Sequence, residues 1–292
     1  MIDYHLHLWP HGQRDIDPTI EQLSEYVEKA KEEGVVELAI TEHLFRFGQA
    51  VGPLGRYFRR FPDSPMRNLM EDYWYEHSRA DLDAYVEVAV AAKKAGLPVV
   101  VGLEVDYYQG EMDAVAKLLE GYPFDVLLGS VHWIDECPFD HVGDPFIEAW
   151  WDEYGVERAW DSYTRALGEL ANSGVVDVLA HPDLVKVTSH FPRVPEEYYD
   201  RMAEAARDSG IVAEVSSAGW RKPVGEPYPA PYLLKKFNQY GVEVTTASDA
   251  HRLGEVSMRV SELRGYLTEA GYDSLATFHD RNKTSIPIAG EG

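Results

Sequence analysis

Short apolar runs rich in β-branched residues alternate along the chain with amphipathic segments. The runs have the length of buried strands and lie at 2–4, 35–41, 99–103, 125–130, 175–180, 211–216 and 242–248. Helical patterns at 20–33 and 78–95 end just before glycines, Gly34 and Gly96, as helices commonly do. Seven strands that alternate with helices predict βαβ units around a buried parallel sheet, and therefore an α/β fold.

No change of composition along the chain suggests a linker, so residues 1–292 are expected to form a single domain. One long segment, 45–77, interrupts the alternation and is aromatic and locally basic. A segment of this length is either a functional lid or a tolerated surface insertion, and the pattern leaves both open. The last residues, from Lys283 onward, are expected to form a fraying tail.

Charge and composition exclude several classes of function. The chain has 292 residues, with 27 Lys and Arg against 50 Asp and Glu, and a formal net charge of −23. So acidic a surface repels phosphate backbones and anionic lipids, so neither nucleic acid nor a membrane is an expected partner. The one cysteine, Cys137, excludes an internal disulfide framework, and the first residues lack a signal-peptide pattern. A cytoplasmic protein is expected.

Side chains suited to metal binding follow six of the seven predicted strands. They are His5 and His7 in HLH, His43 in ITEH, Glu104 in VVGLE, His132 in GSVH, His181 in LAHPD, and Asp249 and His251 in SDAH. Any one of these histidines is more often a hydrogen-bonded core or loop residue than a ligand. Together they lie where barrel enzymes build their active sites, at the carboxyl ends of strands, and indicate a metal centre.

The types of side chain narrow the chemistry. Imidazoles and carboxylates without a cysteine cluster suit Zn, Mn or Fe. Their number exceeds the needs of one ion, so two or three divalent ions are expected, with Glu104 as the bridge because a carboxylate has two oxygens to share. Such ions favour hydrolysis of a phosphate ester, since they generate hydroxide near neutral pH and neutralise phosphoryl oxygens. A small-molecule phosphate ester is therefore the expected partner.

The order HxH, TEH, GLE, SVH, AHPD, SDAH resembles the polymerase and histidinol phosphatase (PHP) superfamily over nearly the whole chain. Three further segments, GSVHWIDECPFDH, LAHPDLVK and AGWRKPVGEPYPAP, resemble its histidinol-phosphate phosphatase branch. The resemblance implies a distorted seven-stranded (β/α) barrel with the metal site at the C-terminal ends of the strands. It also implies hydrolysis of L-histidinol phosphate to L-histidinol and phosphate, in histidine biosynthesis.

The resemblance also implies which residues bind each metal. The first metal would be bound by His5, His7, Glu104 and Asp249, the second by Glu104, His132 and His181, and the third by His43, His251 and His11. His11 is the nearest match in a first loop that reads HLHLWPHG, and an ordinary surface histidine is the alternative there. Glu104, Asp249 and His251 are the expected catalytic residues.

Binding of the substrate is expected to need both cationic and anionic side chains. Arginine suits the phosphoryl oxygens because its planar fork donates two parallel hydrogen bonds, and the candidates are Arg193, Arg221 and Arg158. Histidinol carries an amine and an imidazole, so nearby carboxylates are candidates for its recognition, namely Glu42, Asp106 and Asp183.

Two alternatives remain open at this stage. The altered first loop and the 45–77 segment could reshape the pocket for another small phosphate ester or a cyclic phosphodiester. The chain could also be a non-catalytic metal-binding module, for which lost ligands would be the sequence mark, and this chain keeps nearly all of them. The sequence does not indicate the oligomeric state.

Overall fold

The computed structural model describes residues 1–13 and 16–288. Six strands form one parallel sheet in chain order: β1 (Leu38–Ile40), β2 (Val99–Asp106), β3 (Val126–Ser130), β4 (Val178–Leu179), β5 (Val212–Ser216) and β6 (Val244–Ala247). Every residue of these strands is buried, as expected for a parallel sheet covered on both faces. The chain therefore has an α/β fold built on a curled parallel sheet.

Helices connect these strands, as the sequence pattern predicts. In the described residues they are α1 (Ile20–Glu32), α2 (Gly48–Leu54), α3 (Pro65–His77), α4 (Leu82–Lys94), α5 (Met112–Leu119), α6 (Pro145–Tyr154), α7 (Val156–Ala171), α8 (Pro195–Ser209), α9 (Pro231–Gln239) and α10 (Leu263–Ala270). Gly34 and Gly96 follow α1 and α4 with φ of 76° and 90°, a conformation that favours glycine. None of the described helices is long and apolar enough to cross a membrane.

The predicted first strand, 2–4, is not a regular strand of the sheet. It bonds to both edges instead: the amide of Tyr4 donates to the carbonyl of Thr246 in β6 at 2.8 Å, and the amide of Ala39 in β1 donates to the carbonyl of Asp3 at 2.8 Å. The segment makes isolated bridges rather than a continuous ladder. The sheet consequently has six strands where the pattern predicts seven.

The segment 45–77 is folded into helices rather than an irregular loop. It contains α2 and α3, and α3 begins after Ser64, whose hydroxyl accepts a hydrogen bond from the amide of Arg67 at 3.0 Å. Trp74 and Met70 of α3 are buried in the core. The segment is therefore an integral part of the folded protein, and it borders the site described below.

The expectation of a tail from Lys283 onward is wrong for the residues up to 287, because β7 (Ser274–His279) and β8 (Asn282–Pro287) form an antiparallel hairpin. Residues 289–292 lie outside the described residues. Arg281, in the turn of the hairpin, pairs with Asp177, and the carboxylate of Asp125 accepts from the amide of Asp280 at 3.0 Å. Both acceptors directly precede strands, so the hairpin is fastened at the end of the sheet opposite the metal-binding candidates.

Candidate metal centre

The carboxyl ends of the strands bring the predicted ligands together. Four groups of side chains have ligand atoms within 4.8 Å of one another: His7, His43 and His251; His5, Glu104 and His181; His5, His7 and Asp249; and His43, Asp106 and His132. The groups share members and so form one continuous cluster. All of the predicted ligands except His11 belong to it, and Asp106 is an addition.

Glu104 lies at the middle of this cluster. Five imidazoles have a ring nitrogen within 3.5 Å of its carboxylate: His5, His7, His43, His132 and His181. The first three face Oε2, at 3.4, 3.4 and 2.7 Å, and the last two face Oε1, at 3.5 and 3.2 Å. Burial favours the protonated acid, but the surrounding histidines outweigh it and hold the pKa of Glu104 well below its usual range. An ionised carboxylate that faces two sets of imidazoles has the geometry of a bridging ligand.

Asp249 and His251 follow β6 and border the same cluster. Oδ1 of Asp249 lies 3.6 Å from Nε2 of His7 and 3.7 Å from Nδ1 of His251. Asp249 has a φ of 51° and His181 a φ of 26°, which are uncommon for residues other than glycine. Such conformations persist where the surrounding structure demands them, and they concentrate at functional sites.

His11 lies next to the cluster rather than within it. Its ring centroid is 4.0 Å from that of His251 and 5.5 Å from that of His43. Its loop is held by the buried guanidinium of Arg46, which donates to the carbonyl of Pro10 at 3.0 Å. The proximity is compatible with a ligand on the third metal, and that role stays a prediction.

Three buried carboxylates, one of them Asp106 of the cluster itself, contact Nδ1 atoms of cluster histidines. Oε2 of Glu214 lies 2.8 Å from Nδ1 of His5. Glu42 contacts Nδ1 of His7 at 3.2 Å, and Asp106 contacts Nδ1 of His132 at 2.6 Å. A carboxylate on one ring nitrogen fixes the tautomer and leaves the other nitrogen free for a metal. The sequence analysis did not predict this role for any of the three. A glutamate within the apolar run VAEVS of β5 is unusual, however, and could have indicated a buried partner for a histidine.

Replacement of Glu214 by Gln is expected to lower metal affinity by about 10- to 100-fold. Glutamine fills the same volume but lacks the charge that makes the His5 ring a stronger ligand. Metal affinity can be measured by competition with a chromophoric chelator. Glu204→Gln, on the exposed side of α8, makes the same charge change away from the cluster and serves as the control. Equal affinities in the two variants would contradict the orienting role.

The electrostatics of the cluster predict proton release when metal binds. Burial opposes a charge on His132, but Glu104 and Asp106 outweigh it and raise its pKa to about 10. For His5 burial is likewise outweighed, by Glu214 and Glu104, which raise its pKa well above the usual value. Both rings therefore hold a proton at neutral pH when no metal is bound, and a metal must displace it.

Metal affinity is accordingly expected to fall as the pH is lowered, because protons compete better for the same ring nitrogens. Calorimetric titration with Zn²⁺ or Mn²⁺ between about pH 6 and about pH 8 measures this. In buffers of different ionisation enthalpy, the heats should differ in proportion to the protons released. If the heats do not depend on the buffer and the affinity does not depend on pH, metal binding does not release protons and the prediction is wrong.

A cleft opens beside the cluster, with a volume of about 390 Å³ including its mouth. Its lining comes from three parts of the chain: His11, His43 and His132 of the metal side; Phe45, Met70 and Tyr73 of the 45–77 segment; and Trp133, Pro138, Asp140 and His141 of the loop after β3. The 45–77 segment thus forms one wall of the cleft. This position favours a functional role for the segment over a tolerated surface insertion.

Two of the predicted phosphate-binding arginines lie on the surface. The side chain of Arg193 is 92% exposed and pairs with Glu157 at 3.3 Å. Arg158 is also exposed, and its guanidinium lies 4.0 Å from the ring centroid of Tyr154. These contacts are with surface neighbours and not with the metal ligands, so they give no support to a role in phosphate binding.

Arg221 is placed differently, directly behind the end of β6. Its Nη2 donates to the carbonyl of Ser248 at 2.8 Å and to that of Asp249 at 3.0 Å. Its Nη1 is buried and has no hydrogen-bond partner among the described residues. One side of the guanidinium is therefore fixed to the backbone of a predicted metal ligand, and the other retains an unused donor.

Hydrolases that depend on several divalent ions build centres of this kind at the carboxyl ends of α/β barrel strands. The family follows from the sequence itself, because the model of the PHP domain matches residues 4–218. The chain belongs to the PHP domain family.

Two curated relatives match most of the chain. A protein of Deinococcus radiodurans named "Probable histidinol-phosphatase" is 30% identical over 275 residues, which cover 93% of this chain and 94% of the relative. A Schizosaccharomyces pombe protein of the same name is 23% identical over 269 residues, which cover 87% and 83% of the two chains.

A solved structure confirms the relationship at the level of the fold. It is a histidinol phosphate phosphatase of Lactococcus lactis, crystallised with zinc, L-histidinol and phosphate. It superimposes with a TM-score of 0.71 at 20% identity and covers 97% of this chain and 98% of its own.

Proposed function

We propose that the chain is a metal-dependent phosphatase that hydrolyses L-histidinol phosphate to L-histidinol and phosphate, a step of histidine biosynthesis. The position of Glu104 between two sets of imidazoles is the observation that carries this proposal. The two relatives named as histidinol-phosphatases support the substrate, since each matches over most of its length. A cytoplasmic location is part of the proposal, because a biosynthetic enzyme of this kind meets its substrate there.

The cluster fits several divalent ions. The Nε2 atoms of His43 and His251 are buried without a hydrogen-bond partner among the described residues, and the Nε2 atoms of His5 and His7 face each other at 3.2 Å. Buried nitrogens in such a position are costly unless a proton or a cation lies between them. Imidazoles and carboxylates without thiolates suit Zn, Mn or Fe. Two or three such ions fit the donor set.

The proposed ligand sets are those that the family resemblance implies, and the geometric groups support them in part, because His5, His7 and Asp249 form one group and His43 and His251 share another. His5, His7, Glu104 and Asp249 would hold the first ion, Glu104, His132 and His181 the second, and His43, His251 and His11 the third. Bound ions of this type lower the pKa of water and neutralise phosphoryl oxygens. Glu104, Asp249 and His251 belong to the cluster where the phosphoryl group would bind, and they are the proposed catalytic residues.

Arg221 is the proposed phosphate-binding arginine. Its two backbone bonds fix the plane of the guanidinium, and Nη1 is left to donate to a phosphoryl oxygen at the cluster. A fixed guanidinium loses little freedom on binding, which suits it to a phosphate. Arg193 and Arg158 have no comparable support.

We also propose that residues 2–7 act as the seventh strand, and that they close a distorted (β/α) barrel within a single domain of residues 1–292. The bridges from Asp3 to β1 and from Leu6 to the residue Ala250 beyond β6 support this closure. The closing strand would lie between β1 and β6 and bring His5 and His7 into the cluster.

The proposed function is tested by measuring phosphate release from L-histidinol phosphate. The protein is first loaded with Zn, Mn or Fe. A panel of small phosphomonoesters and one cyclic phosphodiester covers the alternative substrates. These are included because the 45–77 segment lines the cleft and could change which ester fits. We expect kcat/KM for L-histidinol phosphate to exceed the others by about tenfold or more. Preference for another ester would overturn the substrate and keep the reaction class, and no turnover by the metal-loaded chain would favour a metal-binding module.

A further inference from the structure

The carboxylates first considered for the cationic end of the substrate are all engaged elsewhere. Glu42 and Asp106 contact the ring nitrogens of cluster histidines, as described above. Asp183 forms an ion pair with the buried Lys186 at 3.0 Å and accepts from the amide of Ala230 at 2.7 Å. Each of the three also leaves one buried oxygen without a hydrogen-bond partner among the described residues, but none of them lines the cleft.

Asp140 lies in a different environment. It belongs to the loop after β3 and lines the cleft together with His43 and His132. Its Oδ1 is buried, and no hydrogen bond or ion pair from residues 1–13 or 16–288 reaches it. A buried carboxylate oxygen without a donor is costly. Its position in an open cleft indicates that a bound molecule supplies the donor.

The rings that line the same cleft favour a cationic donor. Tyr73 and His141 line the same cleft, with ring centroids 6.2 Å apart in an edge-to-face arrangement, and the Phe45 ring lies 5.8 Å from that of Tyr73. Faces of tyrosine and phenylalanine rings attract cations, and a carboxylate adds a charged acceptor. A neutral or anionic group would gain less from these neighbours.

We propose that Asp140 is a specificity-determining residue that binds the cationic end of the substrate, an amine or a protonated imidazole. This inference rests on the proposed function, because it places the phosphoryl group at the histidine cluster and the cation at Asp140 in the same cleft. The ligand class is thus a phosphomonoester with a positive charge a short chain away from the phosphate.

The test compares Asp140→Asn with Asp144→Asn in the metal-loaded enzyme. Asp144 lies four residues further along the same loop, where it caps α6 by accepting from the amide of Phe146 at 2.8 Å. Asparagine caps a helix about as well as aspartate, so this control makes the same charge change and keeps the local structure. The substrates are L-histidinol phosphate and glycerol phosphate, which carries no cation.

Asp140→Asn is expected to raise KM for L-histidinol phosphate by about tenfold or more and to leave glycerol phosphate hydrolysis and metal content close to wild type. Asp144→Asn should change neither substrate. Loss of activity on both esters by the same factor in Asp140→Asn would assign it to the metal centre and overturn the proposal. Unchanged kinetics on both esters would overturn it as well.

Binding of L-histidinol, measured by calorimetry, separates this inference from the proposed function. The product carries the same cationic groups and needs no hydrolysis to be observed. Weaker binding to Asp140→Asn than to wild type supports the cation site even if neither ester is hydrolysed. Equal binding to both proteins would overturn it even if L-histidinol phosphate proves to be the substrate.

Discussion

Replacement of Glu104 by Gln is expected to lower kcat/KM for phosphate release by about a thousandfold or more. The variant removes the charge that faces five imidazoles and replaces one of the two carboxylate oxygens by an amide nitrogen, which cannot bind a metal. Loss of a bridged ion removes several kcal/mol of transition-state stabilisation, and each 1.4 kcal/mol corresponds to about tenfold in rate. Steady-state kinetics with elemental analysis of the same sample measures both consequences.

The matched control is Glu87→Gln, an exposed position on α4. It makes the same charge change at a distance from the cluster and should retain wild-type kinetics and metal content. Glu104→Gln with a full complement of metals and a loss of less than about tenfold would show that the carboxylate does not bridge the ions. The histidines would then hold the metals without it.

Removal of the metals is expected to lower the melting temperature by about 5 °C or more. An ion present at about one hundred times its Kd stabilises the folded state by about 2.7 kcal/mol. In a chain of this size, 1 kcal/mol corresponds to about 2 °C. Differential scanning calorimetry before and after treatment with a chelator measures the change, and added Zn²⁺ or Mn²⁺ should reverse it.

The melting temperature is expected to fall, and not to rise, because of the chemistry of the cluster. Without ions, the Nε2 atoms of His43 and His251 stay buried without a hydrogen-bond partner among the described residues, and the Nε2 atoms of His5 and His7 face each other. The Glu104→Gln variant should lose less stability on chelation than wild type, because it binds fewer ions at the outset. Identical melting temperatures for wild type with and without metal would contradict a built metal centre.

The sequence was most informative where chemistry depends on local pattern. A buried strand followed by a polar residue places that residue at the carboxyl end of the sheet, and this reasoning brought His43, His132 and His181 to one cluster. The branch-like segment after β3 contributes Asp140 and His141 to the lining of the cleft. Predicting the positions of these residues requires only the parallel order of the strands and no other long-range contact.

Features that depend on distant parts of the chain were not predictable in the same way. Glu214 contacts His5, 209 residues away, and only the folded structure shows that the two meet. The hairpin of β7 and β8 was missed because its polar second strand, NKTSIP, has no apolar run. Among the arginines, Arg193 and Arg221 resemble each other in sequence context, and burial in the fold distinguishes them.

The strongly acidic composition is consistent with this picture. A net charge of −23 would repel a phosphate dianion from most of the surface, so attraction must be local. Bound ions and Arg221 would supply it at the cluster. Asp140 would bind the cation in the same cleft, which would then accommodate both ends of a zwitterionic ester.

The central claim is that the ions held around Glu104 make the chain a phosphatase of L-histidinol phosphate. Titration of metal-free chain with Zn²⁺ or Mn²⁺, with phosphate release from L-histidinol phosphate followed at each addition, tests it most directly. The expected result is no measurable release without metal and a rise that saturates at two or three ions per chain. Release that is already complete without metal, or full occupancy without release, would contradict it.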